Sequence, residues 1–272
     1  MNERRKILYE GKAKILFEGS RDDTLIQYFK DDMTAFNKER HRVMEGKGVI
    51  NNRISSHLMD HMGCLGIRTH LLEQLNMREQ LVKKLDMFPL EIVVRNLAAG
   101  SLCRRIDRFQ EGDTLPNPLV EFYYKKDALG DPLINTDHII ALDIMDEDAL
   151  DDIRATALRI NDILSSIMLS IHITLVDVKL EFGRTGDSED ITLGDEISPD
   201  SCRLWDRKTK TKMDKDRFRQ NLGHVIEHYR EVALRLGVLP PHDAAQTPKE
   251  TDRKENTLQN ITQFRQRTEK KT

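Results

Sequence analysis

The segment ITLVDVKLEFG, residues 173–183, carries charge at a spacing that chemistry can use. As a strand it alternates faces, setting Asp177, Lys179 and Glu181 on one side and Val176, Val178, Leu180 and Phe182 on the other. A polar turn then leads to ITLGDEI, and reflection about Ser188 puts Glu181 opposite Asp195. Two carboxylates that close repel unless a cation stands between them, and Mg²⁺ meets that need, because it takes oxygen ligands and bridges carboxylates to nucleotide phosphates. A solvated outer face is the plain alternative for the same residues.

Other strings suit anions. In GKAK, Lys12 and Lys14 lie two apart, on one side of a strand and directly after Gly11, so they can neutralise a polyphosphate; lysines guarding a sheet edge are the competing reading. RNLAAGS ends an apolar strand with Arg95 and finishes at Ser101, which gives two phosphate donors around small residues or, equally, a packed turn with a structural arginine. Arg203, beside Ser201, could grip a further anion or stack on Trp205. The connector Lys84 to Met87 offers Leu85 and Met87 to a flat base such as adenine, with a simple hairpin as the default. Neither GxxxxGK[ST] nor GxGxxG occurs, and no Ser-His-Asp or Cys-His motif points to covalent catalysis.

Elements must hold these groups in place. Short alternating strands separated by turns fill the first third and predict an antiparallel sheet. Ile50, Ile54, Leu58 and Met62 step by four along a helix that stops near Gly63. QLVKKLDM and LEIVVRN read as two strands with a tight connector, and residues 102–137 as mainly ordered loops with short strands. A long helix is predicted from Asp146, its N-cap, to about Ser170. ITLVDVKLEFG and ITLGDEI read as a hairpin, and residues 214–237 as one helix with Phe218, Leu222, Val225 and Tyr229 inward. Beyond Leu239 the chain turns polar, as a flexible tail would.

The 272 residues are 38% hydrophobic with a formal charge of -3, enough for a sizeable core but without the positive field that nucleic acid binding needs. Cys64, Cys103 and Cys202 are odd in number and widely spaced, which disfavours a disulfide framework and a structural zinc site. With no signal peptide or membrane span in view, a soluble cytoplasmic protein is expected.

Taken in order, LYEGKAK, FKDDMTAF, GKGVINNRIS, VKKLDMFPLEIVVRNLAAGS, KKDALGDPLIN, LVDVKLEFG, LGDEISPDSCRLWD and MDKDRFRQNLG resemble the SAICAR synthetases, the phosphoribosylaminoimidazole-succinocarboxamide synthases, from about Leu8 to Gly237. The resemblance implies a two-domain α+β fold: an N-terminal antiparallel sheet over residues 1–86 like the nucleotide lobe of protein kinases and ATP-grasp enzymes, then a substrate and metal domain over 87–238. Residues 239–272 would be the tail. It implies an ATP- and Mg²⁺-dependent ligase of purine biosynthesis that joins L-aspartate to 5-aminoimidazole-4-carboxylate ribonucleotide, working as a homodimer. It also implies roles: Lys12 and Lys14 on ATP phosphates, Lys84 to Met87 at adenine, Glu181 and Asp195 on Mg²⁺, and Lys179 near the transferred phosphate. Arg95, Ser101 and Arg203 would hold the nucleotide substrate, chiefly its phosphate, with Asp131 near its carboxylate and a metal. NKERHRVME, from Asn37, lacks the glycine that commonly follows this asparagine in the family. A small-molecule kinase and a non-catalytic nucleotide-binding protein are the rival readings, though no HRD-like catalytic loop is present.

Overall fold

A computed structural model describes residues 5–35, 40–186, 188 and 190–240. The expected tail beyond residue 240 and Asn37 to Glu39 of the departing loop lie outside them.

The fold is α+β, built on antiparallel sheets. In chain order its strands are β1 (Ile7–Glu10), β2 (Lys14–Glu18), β3 (Thr24–Phe29), β4 (Asp32–Ala35), β5 (Arg40–Val43), β6 (Leu71–Gln74), β7 (Glu79–Lys83), β8 (Asp86–Met87), β9 (Leu90–Leu97), β10 (Thr114–Tyr124), β11 (Leu133–Ile134), β12 (Ile173–Leu180), β13 (Phe182–Arg184), β14 (Ile191–Leu193) and β15 (Cys202–Asp206). The first sheet runs β1-β2-β3-β7-β6, as the early alternation predicts. Helix α1 (Lys47–Cys64) packs beside it with Ile50, Ile54, Leu58 and Met62 buried, the predicted stripe. It starts directly after Gly46, whose φ of 84° reverses the chain. Gln80 of β7 donates to Asn52 O at 3.2 Å and to Ser56 Oγ at 3.1 Å, which ties the sheet to the helix.

The second sheet runs β11-β10-β9-β12-β15 and positions most of the chemistry. Short helices α2 (Ser101–Arg105) and α3 (Thr136–Ala141) flank it in sequence, and α4 (Glu147–Ser170) packs on β12. Asp146 caps α4 by accepting from Ala149 N at 2.8 Å, and Ile153, Ala157, Ile160 and Leu164 are fully buried. These side chains join Ile92, Val94, Val178 and Leu180 and the α1 stripe in one apolar cluster.

Four expectations change. The strands around Phe88 and Pro89 form no hairpin: β7 belongs to the first sheet and β9 to the second, so the connector crosses between sheets. Residues 102–137 are not mainly loop, since β10 runs for 11 residues along β9; Pro116 and Pro118 hide it, falling where the register shifts between Thr114 and Leu119. The 173–183 strand breaks at Glu181. β12 pairs with β9 and β15, whereas β13 pairs with β14 and β8 in a small sheet of its own. The last helix is two, α5 (Asp216–Arg219) and α6 (Val225–Arg235), because Asn221, Gly223 and His224 all take positive φ and leave Leu222 exposed.

Candidate functional site

A cleft of about 670 Å³ opens where the first sheet, the end of β12 and the loop after β14 meet. Beside it lies a smaller cavity of about 170 Å³; Glu91, Lys179, Asp200, Ser201 and Arg219 line both.

Lys179 comes from the end of β12 and Glu181 from the break just after it, so backbone alternation delivers both to the cleft. Lys179 Nζ bonds Glu181 Oε1, reaches Glu91 Oε1 at 3.1 Å and lies 3.7 Å from Asp195 Oδ2. Lys125, just past β10, bonds the other oxygen of Glu181. Lys14 of β2 bonds Asp195 and sits 2.9 Å from Glu196. Glu181 and Asp195 therefore share one cluster, but not by direct pairing. β13 and β14 run one residue out of the predicted register: Gly194 N donates to Glu181 O at 2.9 Å. Asp195 reaches the cluster because its backbone turns left-handed, at φ 56°, with Gln27 donating to its carbonyl at 3.2 Å.

Burial alone would push the Lys14 and Lys179 ammonium groups toward neutrality, but the acids beside them outweigh it and hold both pKa values above the ordinary lysine value. For Asp195, burial favours the neutral acid; Lys14 and Lys179 reverse that and hold the carboxyl well below its ordinary value. Both lysines act here as fixed cations, not as bases.

Lys12 pairs with Asp127 at 2.8 Å, and Asp131, at φ 50°, accepts from Lys126 N at 2.8 Å; Lys12, Asp127 and Asp131 line the cleft. Met87 lines it beside Phe88 and Pro89. Lys84 and Leu85 do not: Lys84 N donates to Asp23 O at 2.8 Å, and Leu85 packs where a Cβ on Gly194 would stand 3.2 Å from its Cδ1.

The smaller cavity gathers Arg95, Ser101 and Arg203 together with Asp177 and Tyr123. Arg95 is buried and bonds Glu121 and Asp177 at 2.7 Å, Ser101 at 3.0 Å, Tyr123 at 3.2 Å and Ala99 O at 3.4 Å. That consumes its five N–H groups, so its part is to fix the others in place. Arg203 bonds Asp177 at 2.7 Å and Asp216 at 2.8 Å, and its Nη2 lies over Gly100.

Sequence reasoning missed Glu91, Lys125, Glu196, Asp200, Lys215 and Arg219. All fall in the quoted strings or one residue from a strand end, which was the available signal. Asp200 is anchored from behind: buried Lys47 bonds its carboxylate at 2.8 Å, Tyr229 at 2.7 Å and Asn51 at 3.0 Å. Replacing Lys47 with Met leaves that buried charge short of its cation. The expected result is a loss of about 3 kcal/mol of stability, read by urea unfolding.

Glu181, Asp195 and Glu91 offer only carboxylate oxygens, the donor type that suits Mg²⁺. Among the described residues no group of three His, Cys, Asp or Glu is poised to hold a metal alone, so water and phosphate would complete its shell.

The family model for SAICAR synthetase matches residues 7–236. The phosphoribosylaminoimidazole-succinocarboxamide synthase of Sinorhizobium fredii is 58% identical over 241 residues, 88% of this chain and 94% of that protein. The crystal structure of the Ehrlichia chaffeensis synthase superimposes with a TM-score of 0.85 at 47% identity, covering 86% of this chain and all of that one. A SAICAR synthetase solved in complex with ADP gives a TM-score of 0.83 at 44% identity, over 88% of this chain and all of its own.

Proposed function

The chain belongs to the SAICAR synthetase family, and from that membership we propose that it is an ATP-dependent carbon–nitrogen ligase of purine biosynthesis. It condenses 5-aminoimidazole-4-carboxylate ribonucleotide with L-aspartate, giving SAICAR, ADP and phosphate. The observation that carries this reading beyond the family match is the meeting of the two cavities at one lysine, Lys179.

A carboxylate resists attack by an amine, so the substrate acid first takes the γ-phosphoryl group of ATP, breaking the bond to ADP and forming an acyl phosphate. The aspartate amine then attacks the acyl carbon, phosphate leaves, and the amine gives up a proton as the amide forms. Lys12 and Lys14 hold the triphosphate, Met87 contacts the adenine, and the backbone from Lys84 with Leu85 supports that contact. Lys179, kept protonated by its acids, cancels charge on the moving phosphoryl group. Ser101 and Arg203, braced by Arg95, take the nucleotide's phosphate, and Asp131 lies toward its carboxylate end.

The large cleft sets eight carboxylates against six cationic side chains, a poor host for a triphosphate unless further positive charge arrives with it. Glu181 and Asp195 would hold Mg²⁺, which when bound supplies that charge. The reading places the nucleotide on the sheet of residues 1–86 and the substrate and metal groups in 87–238, in a cytoplasmic homodimer with no nucleic acid partner. Among the described residues no helix is long and apolar enough to cross a membrane.

Gly100→Ala is a sharp probe of the phosphate site. At φ 58° an added Cβ would stand 2.5 Å from Arg203 Nη2, so Arg203 must move. The KM for the imidazole nucleotide should rise about tenfold or more, with the KM for ATP little changed. The ligase reading itself is tested by ADP release with the imidazole nucleotide, run with and without aspartate. Steady release only with aspartate supports it; equal release without aspartate fits a kinase.

A further inference from the structure

The large cleft contains a cation that the reaction so far leaves idle. Of the six cationic side chains lining it, Lys12, Lys14, Lys125, Lys179 and Arg219 each pair with a carboxylate. Lys215 has no ion-pair or hydrogen-bond partner for its ammonium group among the described residues. Asp200, the acid nearest in effect, is already committed to Lys47, Asn51 and Tyr229. Burial chiefly, with Arg219 and Lys47 adding and Asp200 and Glu196 opposing, brings the Lys215 pKa down to about 8. A desolvated ammonium in that state gains most from an arriving anion.

Arg219 stands four residues on, at the end of α5. It spends Nη1 on Asp216 at 2.6 Å and leaves Nε and Nη2 without a protein partner among the described residues. It lines both cavities, as Lys179 does. The triphosphate has Lys12 and Lys14, and the nucleotide substrate has Arg203 and Ser101. One anionic substrate remains unassigned.

We infer that Lys215 and Arg219 are the receptor for the two carboxylates of the amino-acid substrate, and that this pair of cations selects a short dicarboxylic amino acid over its half-amide. The inference rests on the ligase reading above. Held there, the amino acid sits at the junction of the cavities, beside the lysine at which the acceptor acid is activated. A half-amide such as asparagine would leave one cation unpaired.

The test is steady-state kinetics of the full chain and of K215M, K215Q, K215R and R219Q, varying aspartate, asparagine, ATP and the imidazole nucleotide in turn, with circular dichroism melting as the check on folding. In whichever neutral variant at Lys215 keeps the wild-type fold, the KM for aspartate should rise about tenfold or more, with those for ATP and the nucleotide within about twofold. The preference for aspartate over asparagine should shrink by a similar factor, and K215R should recover most of it. An unchanged aspartate KM, a joint rise of all three KM values, or an unfolded protein in both neutral variants alike would overturn the inference, since the last two mark a structural lysine. Absence of aspartate-dependent turnover in the wild-type chain would instead strike the ligase reading.

Discussion

Replacing Lys179 with Met should lower kcat about a thousandfold while the KM for ATP changes by less than about threefold. The expectation follows from where the ammonium sits. It touches Glu181, Glu91 and, at 3.7 Å, Asp195, and its raised pKa keeps it charged throughout the neutral range. It also stands on the wall shared by the two cavities, so in the proposed reaction it would meet the phosphoryl group only as that group passes between substrates. Charge placed there would stabilise the transition state more than bound ATP, for which Lys12 and Lys14 are the proposed partners. Steady-state kinetics decides the matter: equal losses in kcat and in ATP affinity would mean that Lys179 binds ground state and transition state alike.

Glu181→Gln should show the second large effect. The carboxylate is buried, 4% exposed, with Lys179 on one oxygen and Lys125 on the other. A glutamine keeps the shape but loses the charge that both ammonium groups, and an incoming dication, would need. The Mg²⁺ concentration for half-maximal ADP release should rise about tenfold to a hundredfold, with kcat at saturating Mg²⁺ falling less steeply. A Mg²⁺ dependence identical to wild type would remove Glu181 from the metal's partners.

What the sequence displays and what it hides divide along physical lines. The α1 and α4 stripes are legible because a helix buries one face against a core, and Ile54, Leu58, Ile153 and Ile160 must recur at that period. The charged face of β12 is legible for the matching reason at period two. Asp195 is different: its place depends on a left-handed backbone at one residue, and strand alternation, blind to that turn, put it one position out of register. Asn221, Gly223 and His224 hid the break between α5 and α6 in the same way. Lys215, Asp200 and Lys47 lie in the quoted strings, but their roles were illegible for a third reason. Their meaning comes from burial and from partners as distant along the chain as Lys47 from Asp200, and no local pattern records either. Arg95 shows the converse, a residue whose type was read well and whose role shifts once all five of its donors are seen to be taken by the protein.

The central claim is that the substrate's own acid is activated by phosphorylation, so that the oxygen it loses leaves on phosphate. Its most direct test uses imidazole nucleotide labelled with ¹⁸O in the carboxylate, with mass spectrometry of the inorganic phosphate released in a complete reaction. Activation by phosphorylation, as in an acyl phosphate, requires one labelled oxygen to leave with each phosphate. Phosphate free of label, with both labelled oxygens still in the substrate or one lost to water, would contradict it.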